Sequence, residues 1–421
     1  MKSWPSPSLP DVPGDGAPLH LHDTSRNAVA PVDAGPVATM YVCGVTPYDT
    51  THMGHAATYV TFDLVGRVLR DAGHEVRYVQ NVTDVDDPLF ERAARDGVDW
   101  EELATEQIAL FHEDMTALSV IPPTVYAGVV ESMPEIIEAV EGLVARGVTY
   151  TLPVDAGTPA DEGGDVYLDL STVPSFGSVS HWSRAEMMAV FADRGGDPER
   201  PAKRDALDPL LWRAHRDGEP AWDSSVLGSG RPGWHIECTA LAVEHLGVPF
   251  DIQGGGTDLT FPHHEMSQAQ SDVLTGTSPF ARFFVHQAMV AFDGEKMSKS
   301  KGNLVRVSQL RDVGVDPRAI RLVLLGQHYR SEWEWTADLL DAAEARLDAW
   351  TRAVSLPSGP SAESTIASVR SALADDLDSP DALAAIDRWV DHALTRGGSD
   401  AHAPGAIADL TSALLGVDPR A

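Results

Sequence analysis

Two cysteines and a histidine are the residues of this chain whose types best suit metal chemistry. Cys43 and Cys238 are its only cysteines, and His263 lies in a separate Thr-Phe-Pro-His-His-Glu segment. Two thiolates and an imidazole suit Zn²⁺, and three protein ligands leave a fourth tetrahedral position open for a substrate atom or a water. A substrate thiol is the ligand that such an ion selects against a hydroxyl or a methyl group. We therefore predict one zinc ion per chain; the alternative is that each cysteine is a small buried hydrophobic residue.

A phosphate site is indicated by residues 41–55, which read Tyr-Val-Cys-Gly-Val-Thr-Pro-Tyr-Asp-Thr-Thr-His-Met-Gly-His. The pattern predicts a buried strand, a loop and then a helix over 55–70 with apolar residues at helical spacing. Free N–H groups and the helix dipole attract anions to such a helix N-terminus. His52 and His55 flank Gly54, whose missing side chain lets a phosphate approach closely. The alternative for this segment is a surface turn.

A lysine-rich loop is a second indication of a phosphate ligand. Residues 296–303 read Lys-Met-Ser-Lys-Ser-Lys-Gly-Asn in a chain that is otherwise poor in lysine. Positioned ammonium groups neutralise a polyphosphate, so we predict that Lys296 and Lys299 contact one. The alternative is a solvated loop.

The elements that position these side chains follow a strand–helix–strand order. A second strand is predicted over 74–83, and Asn81 and Thr83 stand at its carboxyl end. Because ligands bind at the carboxyl ends of parallel strands, we expect these two residues beside the phosphate site. A later strand over 249–253 is followed by Gly254-Gly-Gly256, which lets the backbone approach a planar ligand without a Cβ clash.

Composition limits the class of protein. The chain has 421 residues, enough for more than one domain, and its hydrophobic fraction of 43% is ordinary for a globular protein. It has no apolar run of membrane-spanning length, and its first ten residues lack the apolar core of a signal peptide. The net charge of −32 opposes binding to phosphate backbones. We predict a cytoplasmic protein with neither a membrane nor a nucleic-acid partner.

Five motifs in register resemble those of class I cysteinyl-tRNA synthetases, over residues 20 to 340. They are Tyr41-Val-Cys-Gly44, His52-Met-Gly-His55, Gly230-Arg-Pro-Gly-Trp-His-Ile-Glu-Cys238, Gly254-Gly-Gly-Thr-Asp-Leu-Thr-Phe-Pro-His-His-Glu265 and Lys296-Met-Ser-Lys-Ser300. The resemblance implies an α/β fold: a class I aminoacyl-tRNA synthetase-like Rossmann (HUP) catalytic domain with an inserted connective subdomain and a C-terminal helical bundle.

The chain also departs from that pattern. Ser267 stands where the synthetases carry a glutamate, Ala57 where an arginine is usual, and Pro47 where a valine is usual. The part after residue 345 is short for an anticodon-binding domain. Together with Asp193-Arg-Gly-Gly-Asp-Pro198, which could also be a surface loop, these features resemble the cysteine ligase family of mycothiol biosynthesis. Members of that family join cysteine to the amine of glucosaminyl-inositol.

This second resemblance implies an AMP-forming ligase with ATP and Mg²⁺, L-cysteine and glucosaminyl-inositol as its small-molecule substrates. The cysteine carboxylate would attack the α-phosphorus of ATP to give cysteinyl-AMP and pyrophosphate. His52 and His55 would stabilise the phosphates, and Lys296 and Lys299 the developing pyrophosphate. The rival interpretations are a cysteinyl-tRNA synthetase and a non-catalytic paralogue that binds cysteine or an adenylate.

By the same analogy, an adenylate pocket is formed by thirteen residues. Core packing is the alternative role of the tryptophan in this set. Separately, we expect the protein to be a monomer. The residues are Cys43, Gly44, Val45, Thr46, Thr58, Asn81, Val82, Thr83, Trp234, Gly256, Thr257, Asp258 and Val290.

Six segments are predicted along the chain. They are an N-terminal arm with short strands (1–36), a first Rossmann half (37–105), an inserted connective subdomain (106–225), a second Rossmann half (226–305), a linking helical region (306–345) and a C-terminal helical domain (346–421).

Overall fold

The computed structural model describes residues 1–49, 51–154, 163–297 and 304–421, without the side chains of residues 295 and 296. The strands among these residues are β1 (His20–Asp23), β2 (Ala28–Pro31), β3 (Val37–Val42), β4 (Glu75–Val82), β5 (Val125–Gly128), β6 (Thr149–Leu152), β7 (Asp165–Leu168), β8 (Leu210–Ala214), β9 (Trp222–Ser224), β10 (Gly228–Pro232), β11 (Phe250–Gly256), β12 (Ala281–Gln287), β13 (Val290–Phe292), β14 (Glu295–Lys296) and β15 (Trp333–Glu334).

The helices of the same part of the chain connect and cover these strands. They are α1 (Met53–Asp71), α2 (Asp87–Asp96), α3 (Trp100–Ala117), α4 (Met133–Ala145), α5 (Arg184–Phe191), α6 (Trp234–Leu246), α7 (Glu265–Thr275), α8 (Val307–Asp312), α9 (Pro317–Leu325), α10 (Ala337–Val354), α11 (Glu363–Ala374), α12 (Ser379–Arg396) and α13 (Ala403–Leu410). Within the described ranges, no helix combines the length and the apolar character needed to cross a bilayer.

A five-stranded parallel sheet in the order β12-β11-β3-β4-β5 forms the centre of the molecule. β3 and β4 end in runs of buried residues, as expected for strands covered on both faces. The backbone N–H of Cys43 donates to the carbonyl of Gly254 at 3.2 Å, which places this cysteine at the carboxyl edge of the sheet. The predicted metal and nucleotide segments therefore meet at one edge.

The glycine run of the second sheet half differs from its prediction. The strand was predicted to end at Gln253, but Gly254, Gly255 and Gly256 belong to β11 and pair with residues 285–287 of β12. A Cβ on Gly254 would lie 2.4 Å from the ring of Phe62, and the glycine is therefore required for the packing of α1 on the sheet.

A second five-stranded sheet, antiparallel and in the order β6-β7-β8-β10-β9, is formed by the part of the chain between β5 and β11. Its members do not coincide with the predicted inserted segment. The residues of β5 were predicted inside that segment, but β5 pairs with β4 of the parallel sheet. The residues of β10 were predicted in the second Rossmann half, but β10 pairs with β8 of the antiparallel sheet. These two strands have only four and five residues, and neither has an alternating pattern that would indicate which sheet it joins. The six segments as a set stay a prediction.

Buried charges attach the C-terminal helices to α1. Asp63, on α1, accepts a hydrogen bond from Arg67 at 2.7 Å and another from Arg321 of α9, and all three side chains are at most 1% exposed. Arg321 also donates to the carbonyls of Leu118 and Leu415 at 2.6 and 2.5 Å. These contacts thus fix α1, the helix that begins at the predicted phosphate site, beyond its first turns.

Candidate metal centre and nucleotide site

Three elements bring the predicted metal ligands together. Cys43 follows β3, Cys238 lies on α6, and His263 lies in a π-turn over Thr260–His264 that leads into α7. One ligand atom from each residue lies within 4.8 Å of the other two, and all three side chains are buried. The structure therefore assembles the three residues that the sequence predicts from distant segments.

The hydrogen bonds of His263 leave one of its nitrogens available to a metal. Its Nδ1 lies 3.0 Å from Nδ1 of His235, so one of these two nitrogens carries a proton. The Nε2 of His263 is buried and has no hydrogen-bond partner in the described part of the chain. A proton on Nδ1 leaves the Nε2 lone pair for a cation, and His235 then orients the ligand from behind. The donor set fits Zn²⁺.

The two thiols are held by a polar network. Cys43 Sγ lies 3.3 Å from Gln253 Nε2 and 3.4 Å from His264 Nε2. Burial raises the pKa of Cys43 well above its usual value, whereas the hydrogen bond from Cys43 lowers the pKa of Cys238 well below its own. The hydrogen bond from Cys43 thus favours the charged form of Cys238, and a bound cation would favour the charged form of both thiols.

The predicted phosphate-binding histidines lie at the start of α1. This helix begins at Met53, two residues earlier than predicted, because Nδ1 of His52 accepts a hydrogen bond from the N–H of Gly54 at 3.1 Å. The rings of His52 and His55 stack with centroids 3.8 Å apart. The pair therefore presents two imidazoles at a helix N-terminus, where backbone N–H groups and the helix dipole favour an anion.

The segment after the lysine-rich loop is hydrogen-bonded to the residues on either side of His52. Met53 N donates to Val305 O at 2.9 Å, and Val307 N donates to Thr51 O at 3.0 Å. Arg306 donates from Nε and Nη2 to the two carboxylate oxygens of Asp49 at 3.1 and 3.2 Å. Lys299 lies outside the described residues, and Lys296 is described only by its backbone in β14. Their predicted contacts with phosphate stay a prediction.

The predicted adenylate residues of the first two strands form one hydrogen-bonded group. Gly44 N donates to Asn81 Oδ1 at 2.8 Å, and Asn81 Nδ2 donates to Thr83 Oγ1 at 3.1 Å. Thr83 N donates to Val45 O at 3.2 Å. A Cβ at Gly44 would lie 1.7 Å from the carbonyl oxygen of Asn81, so only glycine permits this approach of the two strand ends.

Other predicted adenylate residues surround the same edge. Thr58 lies on α1, and its hydroxyl donates to the carbonyl of Gly54 at 3.2 Å. Gly256 ends β11, with Thr257 and Asp258 in the turn that follows. Val82 ends β4, and Val290 begins β13. Their assignment to an adenylate stays a prediction.

Trp234 is half-buried, and its ring lies 4.5 Å from the ring of His263. The tryptophan therefore flanks the metal ligands instead of filling the interior of the core, which favours its functional interpretation over its packing alternative.

Asp86 and His235 are site residues that the sequence analysis missed. Asp86 Oδ2 accepts a hydrogen bond from Thr46 Oγ1 at 2.8 Å, and burial raises the pKa of Asp86 to about 6. The sequence did contain an indication of Asp86, because the segment Thr83-Asp-Val-Asp-Asp-Pro88 lies at the end of a strand with two predicted site residues. For His235, its position beside Trp234 was the only indication.

The fold and this edge of the sheet define the catalytic domain of a class I tRNA synthetase. The model of the family "tRNA synthetases class I (C) catalytic domain" matches residues 29–345. Methionyl-tRNA synthetase of Mycobacterium tuberculosis superposes with a TM-score of 0.65 at 15% identity, over 91% of this chain and 92% of that one. The leucyl-tRNA synthetase of an Agrobacterium radiobacter K84 complex gives 0.64 at 12%, over 92% and 84%. At these identities the likeness concerns the fold alone.

Relatives of higher sequence identity indicate the family within this class to which the chain belongs. A Streptomyces coelicolor protein named L-cysteine:1D-myo-inositol 2-amino-2-deoxy-alpha-D-glucopyranoside ligase is 57% identical over 417 residues, which cover 99% of this chain and 100% of the relative. The Nocardia farcinica protein of the same name is 58% identical with the same coverage. The chain belongs to this ligase family. The family and the fold class predicted from the sequence motifs are confirmed.

Proposed function

We propose that the protein joins the carboxyl group of L-cysteine to the amine of glucosaminyl-inositol and consumes ATP in doing so. The observation that carries the proposal is the position of a buried Cys-Cys-His cluster and a histidine-bearing helix N-terminus at one sheet edge. The cluster suits a thiol substrate, and the helix N-terminus suits a nucleotide phosphate. The relatives named as cysteine ligases support the same substrates.

The first step forms a mixed anhydride. A carboxylate oxygen of cysteine attacks the α-phosphorus of ATP, the bond between the α-phosphorus and the bridging oxygen breaks, and pyrophosphate leaves with the bond electrons. His52 and His55 hold the phosphates and stabilise the charge that develops on them. Lys296 and Lys299 act on the leaving pyrophosphate, and Mg²⁺ accompanies ATP.

The metal-binding residues select the substrate. Cys43, Cys238 and His263 would hold one zinc ion, and His235 would orient His263 from behind. When bound, zinc supplies a Lewis acid that holds the substrate thiol as a thiolate. The polar contacts of Gln253 and His264 keep Cys43 in its ligand position.

The second step transfers the cysteinyl group. The neutral amine of the sugar attacks the carbonyl carbon of cysteinyl-AMP, the bond from that carbon to the phosphate oxygen breaks, and AMP leaves. The amine loses one proton as the amide forms. We further propose that the protein acts as a cytoplasmic monomer without a nucleic-acid partner.

Cysteine-dependent exchange of pyrophosphate into ATP, followed by addition of glucosaminyl-inositol, tests both steps. Exchange with cysteine and not with serine, and a product with the mass of the cysteinyl amide, are the expected results. Exchange that does not depend on cysteine, or the absence of an amide product, would contradict the proposal.

A further inference from the structure

We propose that a groove between Trp234 and Arg216 binds the acceptor of the second step, an amino sugar linked to a cyclic polyol. The amine would lie at the inner end, beside Asp86, and the polyol hydroxyls at the outer end, among paired arginines. The inference rests on the proposed function, because it locates that reaction's second substrate.

Two cavities join to form this groove. The inner one has a volume of about 90 Å³ and reaches Asp86, Trp234 and His235. The outer one has a volume of about 430 Å³ and reaches Tyr167, Arg200 and Arg216. Both cavities are lined by Asp197, Leu210 and Arg213, so they adjoin over these residues. The groove thus runs from Trp234 and His235, which adjoin the proposed metal ligand His263, to the antiparallel sheet.

The inner end suits an ammonium group close to the nucleotide loop. Asp86 accepts a hydrogen bond from Thr46, which belongs to the predicted adenylate residues, at 2.8 Å. Asp87 lines the same inner cavity and pairs with Arg231. A cation entering here gains carboxylate partners, and the reacting carbonyl would lie on the side of Thr46.

The outer end suits hydroxyl groups better than phosphates. Arg216 donates to both carboxylate oxygens of Asp165 at 3.0 and 2.9 Å, and Arg200 donates to the same carboxylate at 3.0 Å. Arg213 donates to Glu219 at 2.8 Å. Because the guanidinium groups are already paired with carboxylates, the surface offers fixed donors and acceptors. A polyol, whose hydroxyls both donate and accept, matches such a surface.

The Asp193-Arg-Gly-Gly-Asp-Pro198 segment closes one side of the groove. Gly195 has φ +84°, and a Cβ there would lie 3.5 Å from the ring of Trp234. A Cβ at Gly196 would lie 2.5 Å from the ring of Phe191, so this position has no room for a side chain. Arg194 donates to the carbonyls of Asp258 and Phe261 at 2.9 and 2.5 Å, which fixes the segment to the chain that carries His263. The segment 193–198 thus forms one wall of the groove.

Leu210→Trp tests the groove because it fills the junction of the two cavities. The KM for glucosaminyl-inositol should rise about 10-fold or more, while cysteine-dependent ATP–pyrophosphate exchange measures the integrity of the nucleotide site in the same preparation. Arg213→Met is the second variant, which removes a groove donor without adding bulk, and it should raise the same KM. Arg204→Met is the matched control, since Arg204 pairs with Asp169 of the same sheet region and does not line the groove.

Two results would overturn the inference, and they differ in whether the proposed function also fails. If the unaltered protein forms the amide and both groove variants keep its KM for the sugar, the groove is wrong and the proposed function stands. If the unaltered protein adenylates cysteine but forms no amide with the sugar, the proposed function fails and the groove fails with it.

Discussion

The side chains of the proposed metal centre are the residues to which we assign the choice of amino acid. Cys43, Cys238 and His263 come from three elements, yet their ligand atoms lie within 4.8 Å of one another. Such a soft donor set discriminates a thiol from a hydroxyl by bond chemistry, which a hydrophobic pocket does poorly. We therefore place substrate selection in these three residues.

Cys238→Ser tests this role. We expect the metal content to fall from about one zinc ion per chain to almost none, because a serine hydroxyl is a poor zinc ligand. The preference for cysteine over serine in ATP–pyrophosphate exchange should fall with it. Metal analysis after dialysis and exchange kinetics provide the two measurements.

His245→Asn is the matched control, since this residue lies on the last turn of the same helix and outside the site. Normal zinc content and normal cysteine selectivity in Cys238→Ser would show that the assignment of the metal centre is wrong.

At the scale of elements, β3, the segment after it and α1 position the groups that we propose bind phosphate. The segment after the lysine-rich loop pairs with the residues around His52 through Val305 and Val307. The Arg306–Asp49 ion pair adds a second attachment at 3.1 Å. Residues 305–307, which follow the loop in the sequence, are therefore anchored beside the helix N-terminus.

Replacement of Lys296 and Lys299 by alanine tests the loop. The rate of cysteine adenylation should fall roughly 100-fold or more, because two positioned charges are removed from the developing pyrophosphate. The cysteine concentration for half-maximal exchange should change far less. Pre-steady-state measurement of pyrophosphate release separates the two quantities, with Lys2→Ala as the control. An equal loss of rate and cysteine affinity would refute the assignment.

The elements also show what the sequence could predict and why. The parallel sheet and its ligand edge followed from the strand–helix–strand order, and the three metal ligands from residue chemistry. The pairing of β5 with β4 was not predicted, because four residues between helices carry no pattern that identifies their sheet. The contact of His235 with His263 and that of Asp86 with Thr46 join distant elements, so no local spacing reveals them.

At the scale of the whole molecule, the C-terminal helices support the active edge through buried charge. Burial alone would raise the pKa of Asp63, but Arg67 and Arg321 lower it below its ordinary value, so the carboxylate is ionised. Removing one partner of such a buried cluster leaves charge and carbonyl groups uncompensated.

Arg321→Leu should therefore lower the free energy of unfolding by about 3–5 kcal/mol. Arg352→Leu is the control, since Arg352 forms an exposed pair with Asp348 on α10 and should cause no measurable change. Denaturant unfolding measures both variants. Equal stability of Arg321→Leu and the unaltered protein would mean that the buried cluster does not hold the C-terminal helices in place.

The most direct test of the account is the release of AMP from ATP in the presence of cysteine, with glucosaminyl-inositol and tRNA as separate acceptors. Our account predicts that the sugar amine stimulates the release and is converted to the cysteinyl amide, while tRNA receives no cysteine. Transfer of cysteine to tRNA, with no stimulation by the sugar, would contradict the account and assign the chain to the aminoacylation of tRNA.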